Sequence, residues 1–217
     1  MILATEEDAR RWVSSRPLPS GALEQLEALA PLLAVENQRQ NLVAATSLDQ
    51  FWLRHIADSL QLLWVSRETL PAGSWLDLGT GAGFPGLVVA IASPEREVTL
   101  VESRATRAAW LRHAAVELDL RNVVVVHQRL ELVETIEAAC ISARAFAPLN
   151  KLLRLAARFS TPDTIWLLPK GRNARQELLE MPNRIQTMFH VEQSITSADA
   201  GILVGRGCPV IEKGRKR

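Results

Sequence analysis

The sequence predicts a doubly wound α/β fold: a mostly parallel sheet, an antiparallel hairpin at its C-terminal end and a helical extension at its N-terminal end. Three observations carry this. From residue 74 onward, short runs rich in β-branched residues alternate with helical stretches, the pattern of a parallel sheet covered on both faces. A glycine-rich segment, Gly79-Thr80-Gly81-Ala82-Gly83-Phe84-Pro85-Gly86, separates the first such run from the first such helix. The last apolar runs have no long helix between them, so they must meet as neighbours in a hairpin.

The elements follow in order. Leu23, Leu26, Leu29 and Leu33 stand at helical spacing over residues 21–36. Ser47 precedes Gln50 by three, a capping-box pattern that predicts a helix from there to about Trp64. Leu70-Pro71-Ala72-Gly73 ends the helical part, which divides the chain into an extension, 1–70, packed on a main domain, 71–217, as one structural unit. Strands are predicted at 74–78, 97–102, 122–127, 140–146 and 164–168, and helices at 85–92 and 104–119. The four valines before His127 suggest a strand buried on both faces. Residues 187–211 supply the hairpin.

Composition limits the functional classes. Hydrophobic residues make up 47% and charged residues 23% of 217, as in an ordinary globular domain. No apolar run is long enough for a membrane helix, and the first residues lack the layout of a signal peptide; a cytoplasmic location is expected. Cys140 and Cys208 are far apart and each lies in an apolar stretch. They are expected to be buried thiols, with no metal site. The net charge is +1, but residues 1–100 carry 7 basic and 12 acidic groups and residues 101–217 carry 18 and 12. All but four of the basic residues are Arg, a preference that suits recognition of phosphate and equally follows from Arg-favouring codon usage.

The glycine segment carries the most information. Glycine lets a backbone turn tightly and approach a ligand closely, and the helix start that follows exposes N–H groups. Glu102, at the end of the next strand, can accept both hydroxyls of a ribose. Gly81, Gly83 and Gly86 also satisfy the dinucleotide pattern. Asp77, two residues before Gly79, argues against that reading: a carboxylate beside the loop repels a pyrophosphate and attracts an ammonium. The ligand expected is a nucleoside bearing an amino group.

Asp77-Leu78-Gly79-Thr80-Gly81-Ala82-Gly83 resembles the first motif of class I, Rossmann-like, S-adenosylmethionine-dependent methyltransferases. Asn41-Leu42, Arg54-His55-Ile56-Ala57-Asp58-Ser59, Ile141-Ser142-Ala143-Arg144-Ala145-Phe146 and Pro169-Lys170-Gly171, in this order and spacing, resemble the RsmG (GidB) family. That resemblance runs from about residue 20 to 210. It implies S-adenosyl-L-methionine as cofactor and methylation of N7 of a guanine in small-subunit (16S) ribosomal RNA, free or in an assembling 30S particle. It places cofactor contacts at Gly79, Phe84, the pair Leu130 and Glu131, and Arg144. With the loop reading, the expected cofactor-binding residues are Asp77, Gly79, Gly81, Gly83, Phe84, Glu102, Leu130, Glu131 and Arg144. Where the family usually has Asp, this chain has the longer Glu102.

Guanine N7 has a free in-plane lone pair, so alignment and charge placement matter more than a general base. Arg144, Lys170 and His55 are expected to position the reactants, Arg144 near the cofactor or the guanine O6 edge and Lys170 near a phosphate. Arg54, His55 and Asp58 share one side of their helix and could clamp the extension onto the loop or touch RNA. RNA contacts are expected from Arg104, Arg107 and Arg112, from Lys170, Arg172 and Arg175, and from the basic tail Lys213-Gly214-Arg215-Lys216-Arg217. The target base must be unpaired or flipped out, and Phe84 and Phe146 are candidates to stack on it. A monomer is expected. Two other readings stand beside this one: a small-molecule methyltransferase on the same fold, and an RNA-binding assembly factor without catalysis.

Overall fold

The computed structural model describes residues 2–65 and 70–210; the basic tail at 213–217 lies outside them. Seven strands form one sheet: β1 Trp75–Leu78, β2 Val98–Glu102, β3 Val123–His127, β4 Ala138–Ser142, β5 Ser160–Lys170, β6 Phe189–Gln193 and β7 Gly201–Arg206. Their order across the sheet is β3-β2-β1-β4-β5-β7-β6. The first five are parallel, and β7 runs antiparallel to both β5 and β6. The chain leaves β1 for β2 on one side and later returns to place β4 on the other. That reversal opens a crevice at the carboxyl ends of β1 and β4, where such sheets bind ligands.

Helices α1 Glu6–Ser14, α2 Ala22–Gln40 and the short α3 Ala45–Leu48 precede the sheet. In α2 the residues Ala22, Leu26, Leu29, Leu33 and Asn37 are buried, a stripe at the 3.6-residue period. Asn41 ends the helix in the left-handed conformation, with φ of 47°. The buried faces of α1 and α2 share one apolar core with Leu87, Val88 and Ile91 of α5 Gly86–Ala92 and Leu111 of α6 Ala105–Glu117. A second core on the other sheet face joins Leu76, Ile141 and Trp166 to Leu152 and Leu153 of α7 Leu149–Ala156 and, beyond α8 Ala174–Leu179, to Ile185 of α9 Asn183–Gln186. Together these are the two layers that a doubly wound sheet needs.

Several expectations are corrected. Ser47 does not open the next helix: it lies inside α3, and its hydroxyl donates to the Ala44 carbonyl. That helix begins as a π-helical turn, Trp52–Ala57, continues as α4 Asp58–Leu60, and ends in a 3-10 turn, Gln61–Leu63. Its start is capped from far away, by the Glu6 carboxylate accepting from the Trp52 and Leu53 N–H groups at 2.9 and 2.7 Å. The valine-rich β3 is not buried on both faces. It is one of the two edge strands of the sheet, and Val124 is 46% exposed. The fourth strand stops at Ser142 rather than running to 146, and Ala145 has a φ of 51°. Cys140 is buried, whereas Cys208 is exposed.

Candidate functional site

Three glycines shape the turn after β1. Gly79, Gly81 and Gly83 have φ of 64°, 60° and 105°, values costly for any residue with a Cβ. The N–H groups of Gly79 and Thr80 both donate to the Val101 carbonyl, so the turn folds over the end of β2. Glu102 ends that strand with its carboxylate aimed back at the turn. One oxygen accepts from Gly81 N–H at 3.1 Å and the other from Arg104 N–H at 2.8 Å. On the Cβ side of Gly81 the nearest atom is an Arg107 guanidinium nitrogen, 3.8 Å from where a Cβ would stand. Glu102 is 5% exposed and is held against the turn by its bonds to the Gly81 and Arg104 N–H groups.

Asp77 has a different role from the expected one. It is fully buried, and its oxygens accept from Ser142 Oγ at 2.7 Å and from Gly86 N–H at 3.0 Å. Trp75 Nε1 donates to the same Ser142 oxygen at 2.7 Å. The chain of bonds ties β1, β4 and the first N–H of α5 together. Burial raises the Asp77 pKa against the hydrogen bonds that lower it. In this structure the carboxylate has no face open to an ammonium; it fixes the floor of the turn instead.

Phe84 is also buried. Its ring stacks on His55, with centroids 4.7 Å apart and planes 20° from parallel, and the Arg144 guanidinium lies 5.4 Å from its centre. Its ring is therefore closed to a substrate base. His55 Nε2 meets Ser47 Oγ at 3.1 Å, and His55 Nδ1 lies 3.5 Å from Arg144. Burial first, then the charges of Arg144 and Arg54, lower the His55 pKa to about 3. The ring is neutral at ordinary pH. Arg144 donates to the Arg54 carbonyl at 3.1 Å and to Asp58 at 3.2 Å. Asp58 and His55 thus connect the helical segment to Arg144 beyond the end of β4, while the Arg54 side chain stays exposed. The π-helical turn presents the Arg54 carbonyl to this arginine, and turns of that type recur at functional sites.

Beyond Arg144, the ring of Phe146 stands on the glycine turn. A Cβ built on Gly79 would lie 2.3 Å from it. The same residue lines a cavity of about 960 Å³. Arg54, His55, Asp58 and Arg144 line one wall of it, and Pro169, Lys170, Thr196 and Ile202 line another. Phe146 thus touches both the glycine turn and the lining of the cavity.

Lys170 is not free for a phosphate. Its side chain is 9% exposed, and its ammonium donates to the Ala147 carbonyl and to Glu177. Glu177 was not singled out from the sequence, because it belongs to no motif and meets Lys170 only through the fold. Leu130 and Glu131 lie in a short turn after β3, one strand outboard of Glu102. Leu130 is buried. Glu131 is exposed and 3.5 Å from Arg129; its own backbone N–H and Arg129 lower its pKa. Among the expected RNA-binding residues, Arg104, Arg112 and Arg175 are exposed and Arg172 pairs with Asp199 at 3.4 Å. His113, His127 and His190 are exposed. Among the described residues no group of three could hold a metal ion, and no helix is long and apolar enough to cross a membrane.

The family model described as rRNA small subunit methyltransferase G matches residues 22–203. The chain belongs to this family. Ribosomal RNA small subunit methyltransferase G of Erythrobacter litoralis is 59% identical over 207 residues, covering 95% of this chain and 98% of that protein. The protein of the same name from Novosphingobium aromaticivorans is 55% identical, covering 95% and 90%. Among solved structures, a SAM dependent methyltransferase from Aquifex aeolicus superposes with a TM-score of 0.56 at 15% identity, over 80% of this chain and 98% of that one. At that identity the likeness concerns the fold alone, which is the class I methyltransferase fold. The family match spans both the helical segment bearing His55 and Asp58 and the sheet bearing Gly79, Glu102 and Arg144.

Proposed function

We propose that this chain transfers a methyl group from S-adenosyl-L-methionine to N7 of a guanine in small-subunit ribosomal RNA. The observation that carries the reading is the juxtaposition around Phe146 of a glycine cradle ending in Glu102 and a roomy cavity walled by Arg54 and Arg144. Family membership supplies the reaction class. The residues fit the cofactor: three left-handed glycines set the turn after β1, and the Glu102 carboxylate lies against that turn, where it would take the ribose hydroxyls. When bound, the cofactor supplies a methyl group on a sulfonium, ready for in-line displacement.

The residues of this chain then do three things. Gly79, Gly81 and Gly83 shape the cradle, and Leu130 and Glu131, in the turn after β3, close its outer side. Arg144, fixed by Asp58 and the Arg54 carbonyl, presents a cation at the cavity lining beside Phe84 and holds either the cofactor or the guanine O6 edge. His55 orients Arg144 and Phe84. A neutral ring with a pKa of about 3 is too weak a base to remove a proton, which suits attack by an N7 lone pair that carries none. Phe146, half-buried at the cavity wall, is the remaining candidate to stack on a flipped base. Exposed Arg54, Arg104, Arg112 and Arg175 hold the RNA backbone. The acceptor is the RNA itself or an assembling 30S particle. In this reading the protein acts in the cytoplasm as a monomer, its helical extension and sheet working as one unit.

The test is methyl transfer from labelled cofactor to undermethylated small-subunit RNA, free and in 30S particles, followed by chemical cleavage at N7-methylguanine. The expected result is label at a single guanine N7. Label elsewhere would overturn the acceptor atom, and turnover only with small metabolites would favour the small-molecule reading.

A further inference from the structure

The loop that carries Arg144 and Phe146 leaves β4 at Ser142 and enters α7 at Leu149. Three attachments hold it. At its start Arg144 is bound to Asp58 and the Arg54 carbonyl. In its middle Phe146 stands on Gly79. At its end the Ala147 carbonyl accepts from Lys170 Nζ at 2.7 Å, and Leu149 N–H donates to Glu177 Oε2 at 2.7 Å. That same carboxylate oxygen lies 2.9 Å from Lys170 Nζ. Lys170 ends β5 and Glu177 sits on α8, so two outside elements grip one end of the loop through a single charge pair. The Glu177 carboxylate also faces the N-terminus of α7, where negative charge is favoured.

We infer that Lys170 and Glu177 are a pair of positioning residues that set the pose of the 143–148 loop and, through Phe146, the edge of the cavity beside the glycine turn. The inference rests on the methyl-transfer reading above for what meets at that edge. An ammonium this buried and committed to two acceptors is not a phosphate ligand. Withdrawing it toward RNA would strand the Ala147 carbonyl and half the bonding of a carboxylate. The pair instead acts at a distance of one loop from the reacting atoms, where small displacements cost rate.

The experiment compares Lys170→Met, Lys170→Arg, Glu177→Gln and the Lys170→Met/Glu177→Gln double variant with the wild-type protein. It measures S-adenosylhomocysteine affinity by calorimetry, kcat for methyl transfer, RNA affinity across a salt series, and hydrogen exchange of residues 143–149. Lys170→Met and Glu177→Gln should each lower kcat by about 10- to 100-fold, with faster exchange in the loop. The double variant should be no worse than the poorer single, and Lys170→Arg should recover part of the loss. RNA affinity and its salt slope should not change. A phosphate-binding Lys170 predicts the opposite: Lys170→Met would flatten the slope by about 0.7 to 0.9, and Glu177→Gln would tighten RNA binding. Either outcome, or wild-type kcat and exchange in both variants, overturns the inference. Should Lys170→Met fail to fold, Glu177→Gln, which keeps an acceptor for Leu149 N–H, carries the test alone. If the wild-type protein bound no S-adenosylhomocysteine, the methyl-transfer reading would fail, and loop exchange in the variants would still decide the clamp.

Discussion

Acidification should destabilise this protein through His55, by an amount the structure sets. The ring is 4% exposed, stacked on Phe84 and engaged at both nitrogens. Its pKa is lowered from 6.5 to about 3, chiefly by burial. Between those values an unfolded His55 binds a proton and a folded one does not, so lowering the pH favours the unfolded chain. The contribution is fully present above pH 6.5, is lost progressively below it, and stops changing near pH 3, where the folded ring is protonated too. Each unit of that window is worth about 1.4 kcal/mol for one proton, which makes the loss between pH 7.5 and pH 5 about 2 kcal/mol. His55→Gln removes the titrating group while keeping a side chain able to bond Ser47 and Arg144. Urea denaturation of both proteins at the two pH values isolates the effect. Groups common to both, among them Asp77 with its raised pKa, cancel in the difference. The wild-type protein should lose about 2 kcal/mol more than His55→Gln on going to pH 5. Equal losses would mean that His55 takes up a proton in the folded protein, and a general-base role would then reopen.

Arg144→Ala should leave the fold intact, because a partly exposed ion pair contributes only about 1 kcal/mol; cofactor affinity or kcat should fall by about 10-fold or more, and wild-type kinetics would refute the role given to it. Gly79→Ala places a Cβ at φ of 64° and 2.3 Å from the Phe146 ring. It should cost about 1 to 2 kcal/mol in stability and weaken S-adenosylhomocysteine binding in calorimetry; unchanged binding would remove Gly79 from the cradle. Ser142→Ala leaves Trp75 Nε1 and one Asp77 oxygen without their buried partner. A loss of about 2 to 4 kcal/mol is expected in urea denaturation, and a loss below 1 kcal/mol would show that the chain of bonds does not hold the sheet to the turn.

What the sequence makes legible here is local. The strand, glycine turn and helix around Gly79 are written in consecutive residues, because period-2 patterning, left-handed glycines and a helix start each leave a short-range mark. Glu102 can be placed beside the turn because it ends the next strand. The C-terminal hairpin is legible because two apolar runs without an intervening helix have few ways to pair. The misreadings share a cause. Whether four valines are buried depends on where β3 stands in the sheet, and sheet order is a property of the whole chain.

The site itself shows the same division. Asp77 looks like a ligand for an ammonium when only its distance to Gly79 along the chain is known. Once Ser142 from β4 and Gly86 from α5 are brought to its two oxygens, it becomes the post that supports the turn. Glu6 caps a helix 46 residues away, a task that a short-range pattern assigned to Ser47. Lys170 changes from an exposed cation to a buried one only when Glu177 and the Ala147 carbonyl arrive. In each case a charge's role is fixed by the partner that desolvates it, and the partner comes from a different element. Residues that bend the backbone can therefore be assigned from sequence, whereas residues that act by charge acquire their roles from the fold. Arg144 belongs to both classes. It lies in a recognisable motif, and its work is defined by Asp58 and the Arg54 carbonyl across 86 and 90 residues of chain, so its substitution tests the motif and the fold at once.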